Sequence, residues 1–283
     1  MRLNLALAQI NTKLGDVSAN LEKHLSIATE AQKSGADLLV FPELSLTGYV
    51  LQDLVPAVAC RPTADDPVFT SLIAASRNLD LVVGFVDEDP RHRFYIAAAY
   101  LSGGEVVHVH HKVHLPTYTI FDERRFLAAG DSFCAFDTHF GRLGMLICED
   151  FWHISSPYLL WLDGADIFLM TSASPGRGVT DEHIGSSDWV ETIHKAYAGL
   201  FTTFVAHTNR VGFEDGLYFW GGATVHDPDG RLLVKGPYDE EAIIYSDLDL
   251  GQLRRTRARL PLLRDEMPEI VQRELERILQ KRK

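Results

Sequence analysis

Glu43, Lys112 and Cys148 each stand where an apolar strand ends: after Leu38-Leu39-Val40-Phe41-Pro42, after Val106-Val107-His108-Val109-His110-His111, and after Leu143-Gly144-Met145-Leu146-Ile147. A carboxylate, an ammonium and a thiol brought together make a coherent set for acyl transfer. The thiol attacks a carbonyl or nitrile carbon and forms a covalent acyl-enzyme. The carboxylate accepts the thiol proton and returns it to a leaving amine. The ammonium favours the thiolate and stabilises the oxyanion with a backbone N–H, most naturally that of Glu149. Taken singly, each residue has a plainer reading. An unpaired cysteine is commonly a small buried apolar residue, Glu43 is a loop carboxylate, and Lys112 is a solvated cation.

The surrounding elements decide whether these groups can meet. Gly141-Arg142 punctuates a hairpin between residues 136–140 and the strand that follows. Leu143, Met145 and Ile147 then share one face, and Cys148 emerges ahead of a helix starting at Ser155 or Ser156. Pro42 cannot donate a ladder hydrogen bond, so it closes the strand over residues 36–41 just before Glu43. Residues 95–101 and 105–111 pair around Ser102-Gly103-Gly104, and the second strand runs into Lys112. If the three strands are neighbours, their ends converge at one edge of a sheet, where open α/β folds place their sites.

The rest of the chain supplies the frame. Leu3, Leu5 and Leu7 alternate with Asn4, Ala6 and Ala8 in a first strand, and Leu21, His24, Leu25, Ala28 and Ala31 recur at helical spacing before Gly35. Further helices are expected over residues 66–78, 156–162, 182–199 and 267–280, and further strands over 79–85, 165–171, 202–208, 221–226, 232–234 and 242–247. Early alternation of strands and helices, then hairpins, predicts an α/β fold: a mixed sheet or two packed sheets with helices outside. No repeat or linker divides the chain, so residues 1–283 read as one domain, with 251–283 as a C-terminal extension.

Composition excludes several classes. A net charge of −12 disfavours nucleic acid or an anionic membrane as general partners. The basic cluster Arg254-Arg255-Thr256-Arg257-Ala258-Arg259 is local and reads as a solvated or interface-facing segment. Cys60, Cys134 and Cys148 form an odd set without metal-type spacing, which argues for a reducing, cytoplasmic setting. No secretory signal or membrane-length apolar run is visible.

Three blocks carry a resemblance: Phe41-Pro42-Glu43-Leu44-Ser45-Leu46-Thr47-Gly48-Tyr49, Lys112-Val113-His114-Leu115-Pro116 and Leu146-Ile147-Cys148-Glu149-Asp150. They resemble the signature blocks of the nitrilase, or carbon–nitrogen hydrolase, superfamily. Asn209-Arg210-Val211-Gly212, Phe219-Trp220-Gly221-Gly222 and Asp227-Pro228-Asp229-Gly230 extend the likeness over nearly the whole chain. Phe121-Asp122-Glu123-Arg124-Arg125-Phe126, Cys148-Glu149-Asp150-Phe151-Trp152 and Ala173-Ser174-Pro175 are most similar to the glutaminase-domain branch of glutamine-dependent NAD synthetases.

The resemblance implies an α-β-β-α sandwich that pairs across its helices into a four-layered αββααββα homodimer, the C-terminal segment contributing to the interface. It implies hydrolysis of a small amide without metal or cofactor, through Glu43, Lys112 and Cys148. Glu123 matches a second glutamate that holds Lys112 and helps position substrate. Tyr49, Tyr118, Glu149, Trp152 and Ser174 fall where that branch lines its glutamine pocket, and Arg177 is a candidate for a substrate carboxylate. One departure is that no Gly-rich pyrophosphate-binding loop follows, so released ammonia goes to solvent or to a separate synthetase chain. Gly176 also stands where that branch more often carries a bulky residue. Competing readings are a metal site at His108, His110, His111 and His114, a papain-like pair of Cys148 with His153, and a non-catalytic scaffold.

Overall fold

The alternation in the first strand decides how the sheets face each other. β1 (Arg2–Gln9) turns Leu3, Leu5 and Leu7 into one core and Ala6 and Ala8 into another. This computed structural model describes residues 1–178 and 184–282. After β1 comes α1 (Val17–Lys33), capped by Asp16, whose side chain accepts the Ala19 N–H at 3.0 Å. β2 (Leu38–Val40), α2 (Val55–Val58) and α3 (Pro67–Ala75) lead to β3 (Asp80–Glu88), β4 (Phe94–Ser102) and β5 (Glu105–His111). Next are α4 (Glu123–Phe126), β6 (Phe136–Thr138), β7 (Gly141–Ile147), α5 (Ser155–Leu162), β8 (Ile167–Ser172) and α6 (Gly185–Phe201). β9 (Phe204–Asn209), β10 (Val211–Glu214), β11 (Leu217–Trp220), β12 (Thr224–His226), β13 (Leu232–Lys235) and β14 (Ala242–Asp249) follow. The chain closes with α7 (Gly251–Arg259), α8 (Leu262–Asp265) and α9 (Pro268–Gln280).

Two six-stranded sheets form, in the orders β14-β1-β2-β3-β4-β5 and β13-β12-β9-β8-β7-β6, with β10 and β11 paired separately. Between them lies one core, drawn from Leu5, Leu7, Val82 and Val86 on one side and Leu143, Met145, Ile147, Leu169 and Phe204 on the other. The outer face of the first sheet packs on α1 and α3 through Ala28, Ala31, Phe69 and Leu72. The outer face of the second packs on α5 and α6 through Leu160, Trp161, Val190 and Ala198. The layers are therefore α-β-β-α, each sheet burying both faces.

Several expectations need correction. The strands before Glu43, Lys112 and Cys148 are not neighbours in one sheet. β2 and β5 belong to the first sheet, with β3 and β4 between them, and β7 belongs to the second. β2 runs parallel to β3, and β3, β4 and β5 alternate, so β2 and β5 end on the same side. The site forms between the sheets. In the β6–β7 hairpin Thr138 opposes Gly141, so His139 and Phe140 make the turn and Gly141 opens β7. The hairpin β10–β11 lies outside the expected strands; Asp215 and Gly216 join it with φ of +45° and +80°, the pattern of a type I′ turn.

The basic cluster is α7; Arg254, Arg255 and Arg259 are exposed, as expected of a solvated segment, and the helix is also anchored to the fold. Arg255, Arg257 and Arg259 pair with Asp249, Asp166 and Asp229, and Leu253 and Thr256 are buried. The helix expected from residue 182 is α6; residue 182 itself lies outside the described residues. Among the described residues no helix is long and apolar enough to cross a membrane.

Candidate active site

Glu43 is aimed by a chain crossing. Beyond β2 the backbone of Pro42 to Leu44 passes directly over Gly84 of β3, where a Cβ would stand 2.3 Å from the Pro42 carbonyl oxygen. Only glycine at 84 allows so close an approach. Ser45 pins the loop: its Oγ accepts the Gly84 N–H at 3.3 Å and meets His24 Nε2 at 2.9 Å. The Glu43 carboxylate is buried, with Oε1 accepting from Lys112 Nζ at 2.7 Å and Oε2 accepting the Ala173 N–H at 2.7 Å.

Lys112 continues β5, its N–H donating to the Ile96 carbonyl at 2.8 Å. Its side chain is completely buried, and Nζ also donates to Glu123 Oε1 at 2.8 Å. Burial opposes the ammonium charge, but the Glu123 and Glu43 carboxylates together hold it well above the ordinary lysine range. Glu123 opens α4, and its Oε1 also accepts the Tyr49 hydroxyl at 2.6 Å. Its Oε2 is buried without a hydrogen-bond partner among the described residues.

Two carboxylates thus share one buried cation. Burial first, then the Glu43 charge, push the Glu123 carboxyl up to about 7 against the pull of Lys112. An unfolded glutamate titrates near about 4.3. The folded protein therefore binds this proton more tightly than the unfolded chain. This contribution to stability is full below about pH 4.3 and is lost as pH rises through about 7. Glu123→Gln has no proton to lose. The melting temperature of the wild type minus that of the variant should fall between about pH 5 and 7 and then level off. Thermal melts across that range check it, and a difference that rises with pH contradicts it.

Cys148 begins a 3₁₀ turn (Cys148–Trp152) and adopts φ +46°, a left-handed conformation that a side chain disfavours. It is only 7% exposed. Burial, followed by the Glu43 charge, pushes its thiol well above the ordinary range, with Lys112 pulling the other way. Lys112 thus favours the thiolate, as expected, but burial and the Glu43 charge outweigh it and favour the neutral thiol. A neutral thiol needs a base at the moment of attack.

The candidate pocket residues divide around this centre. Tyr49 and Glu123 line a cleft of about 230 Å³ together with Leu44, Phe121 and Phe126. On another side a groove of about 260 Å³ is lined by His114, Pro116, Tyr118, Arg124, Glu149 and His153. There the Tyr118 hydroxyl donates to Glu149 at 2.9 Å, and burial with the Glu149 charge pushes that hydroxyl up to about 12. Ser174 follows Ala173, and its N–H donates to Asn209 Oδ1 at 2.8 Å. The Arg177 guanidinium lies over the Phe121 ring at 5.1 Å. Trp152 is 38% exposed. Gly176 has a packing reason: a Cβ there would meet the Tyr218 ring at 2.5 Å.

A family model for carbon–nitrogen hydrolases matches residues 4–258. The chain belongs to the carbon–nitrogen hydrolase family. It is 34% identical over 253 residues to a glutamine-dependent NAD(+) synthetase of Thermotoga maritima, covering 89% of this chain and 43% of that protein. It thus spans less than half the length of that relative. It is 28% identical to a probable nitrilase of Schizosaccharomyces pombe, covering 96% of this chain and 98% of the other. Its fold also matches a variant of an amidase from Nesterenkonia sp. AN1, with a TM-score of 0.80 at 23% identity over 96% of each chain. In that structure the acetamide moiety of fluoroacetamide is covalently added at the active-site cysteine.

In this carbon–nitrogen hydrolase the tempting histidines have other neighbours. His108 stacks on Phe136, His110 meets Asp150, and His111 meets Asp87 and stacks on Tyr95. His114 stacks on His153 at 3.7 Å, and His153 Nε2 lies 3.7 Å from Glu149. Among the described residues no group of three or more His, Cys, Asp or Glu side chains is disposed to hold a metal.

Sequence reasoning missed one support for the site. Glu214 accepts the N–H groups of Tyr49 and Val50 at 2.7 and 2.8 Å, and the buried Arg210 pairs with it at 2.7 Å. This pair fixes the backbone of the tyrosine that donates to Glu123. Arg210 belongs to the Asn209-Arg210-Val211-Gly212 block, but no local pattern points to Glu214.

Proposed function

We propose that this chain hydrolyses a small linear carboxamide to its carboxylic acid and ammonia through a thioester on Cys148. The observation that carries the reading is the buried Glu43–Lys112–Glu123 charge set beside a neutral, buried thiol. Glu43 takes the Sγ proton as sulfur attacks the amide carbon. Lys112 Nζ and the Glu149 N–H stabilise the tetrahedral oxyanion. Collapse breaks the C–N bond, and Glu43 gives its proton to the departing nitrogen. Water then attacks the thioester, Glu43 taking its proton, and the acid leaves as the thiol is restored. Glu123 holds Lys112 and, with Tyr49, shapes the site.

The substrate class is read from the groove residues and their neighbours. Glu149 with Tyr118 suits an ammonium group, and Arg177, stacked on Phe121, suits a carboxylate. Together these favour glutamine or a related ω-amide. The T. maritima relative is itself named for glutamine dependence. That likeness also favours a second reading, in which this chain supplies ammonia to a separate synthetase chain. We further propose a homodimer across α5 and α6, where Ile154, Leu159, Trp189 and Leu200 are exposed apolar side chains.

An ammonia-release screen tests the function. It would include glutamine, short aliphatic amides, ω-amides, N-carbamoyl amino acids and nitriles, with and without a synthetase chain. Release from glutamine or ω-amides alone supports the first reading, and release that needs the second chain supports the other. Turnover of nitriles but of no amide would overturn both. Light scattering on the same preparation reads the pairing, and a monomer at working concentration would remove it.

A further inference from the structure

One carboxylate joins the two sheets at the site. Asp150 is fully buried and stands two residues beyond Cys148. Its Oδ1 accepts the N–H groups of Val113 at 3.0 Å and His114 at 2.9 Å, the two residues directly after Lys112. Its Oδ2 accepts the N–H of Ile147 at 3.1 Å, directly before Cys148, and meets His110 Nε2 at 2.9 Å. A single side chain therefore holds the backbone on the far side of Lys112 and the backbone on the near side of Cys148. We infer that Asp150 is a positioning residue that sets Lys112 against Cys148 across the intersheet gap, with His110 holding Asp150 in place.

The chemistry of a carboxylate explains why this residue type is needed. All four partners present an N–H toward it, counting His110 in the tautomer that donates from Nε2. Only an ionised carboxylate offers acceptors in every direction and no donor. Burial opposes the charge on Asp150, but the bond from His110, its charge, and the N–H groups of His114 and Ile147 hold the carboxyl below the usual range. The bonds are thus charge-assisted, at ordinary lengths of 2.9 to 3.1 Å. They also explain how Cys148 keeps its left-handed backbone: Asp150 closes the turn on Ile147, the residue before the strained position. Lys112 and Cys148 arrive from different sheets, with no shared ladder to set their distance. Asp150 supplies that constraint.

The inference rests on the proposed roles of Lys112 and Cys148, and the experiment separates the two. Asp150→Asn keeps the shape but turns an amide N–H₂ toward backbone donors. Its kcat on the best amide should fall by about 100-fold, with KM within about threefold of wild type. Addition of acrylamide to Cys148, followed by peptide mass spectrometry, should slow by about tenfold or more. His110→Ala should lose about tenfold in kcat, while His110→Gln, which keeps a donor for Asp150, should return to within about threefold of wild type. Where Asp150→Asn does not fold, Asp150→Glu, which keeps the charge but lengthens the stem, takes its place in the same assays. Unchanged kcat in His110→Ala and in the folded Asp150 variant, with Cys148→Ala inactive, would overturn the positioning role alone. A raised KM with kcat unchanged would also overturn it, because that marks substrate contact. An active Cys148→Ala would instead remove the nucleophile, and the brace with it.

Discussion

Cys148→Ala should bring ammonia release to the assay floor, a loss in kcat of about four orders of magnitude or more. No other thiol can substitute. Cys60 is buried in the core that packs on α1 and α3, and Cys134 is an exposed residue lining a small cavity with His108 and His110. Cys148→Ser places a hydroxyl at the same point, but its proton is held far more tightly than a thiol's, so Glu43 cannot remove it usefully. The two variants should therefore be equally inactive. The stability effects are separable from the catalytic one. Loss of one buried sulfur costs on the order of 1 kcal/mol. Cys148→Gly removes the side chain that disfavours φ +46° and should recover an amount on the order of 1 kcal/mol relative to alanine. Urea unfolding of the three variants beside an ammonia assay reads both quantities. Full turnover in the alanine and serine variants would end the thioester mechanism.

Much of this arrangement is legible in the chain's local signals. Glu43, Lys112 and Cys148 follow their strands because Pro42, the β4–β5 hairpin and the β7 alternation act over a few residues, and such signals survive folding. The assignment of those strands to sheets is not legible. β2 and β5 share the first sheet with β7 in the second, a matter of long-range pairing that period-two patterning does not encode. The Asp215-Gly216 turn is a readable hairpin signal, obscured because Gly212 interrupts the alternation of β10. The ion pairs of the α7 arginines are not legible because their partners Asp166, Asp229 and Asp249 belong to other elements. The balance that sets the protonation of Cys148 is only half legible, for a physical reason. Charge pairing is visible in a list of residues, but the desolvation that outweighs it depends on burial. The role of Asp150 is hidden although it stands two residues from Cys148, since its partners at 110, 113 and 114 lie at another sheet's strand end.

Lys112→Met should be the most damaging single change to the site as a whole. Methionine nearly matches the length of the lysine stem but carries no charge, so Glu43 and Glu123 are left facing each other in a buried space. Removing one partner of a buried ion pair costs about 3–5 kcal/mol of stability, because the remaining charge is uncompensated. The cost depends on pH in a definite direction. Lys112 pulls the Glu123 carboxyl downward, and even so it reaches about 7. Without the cation the folded protein binds this proton still more tightly, so the penalty is largest at high pH and shrinks as pH falls. Urea unfolding at about pH 6 and pH 8 should show a smaller loss at the lower value. Adding Glu123→Gln to Lys112→Met removes one of the two carboxylates and should restore part of the stability lost at the higher pH. It should not restore turnover, because no cation is left to stabilise the oxyanion; kcat should stay about 100-fold or more below wild type in both variants. Recovery of activity together with stability in the double variant would show that Lys112 serves only to neutralise the carboxylates, and the oxyanion role would have to pass to backbone N–H groups alone.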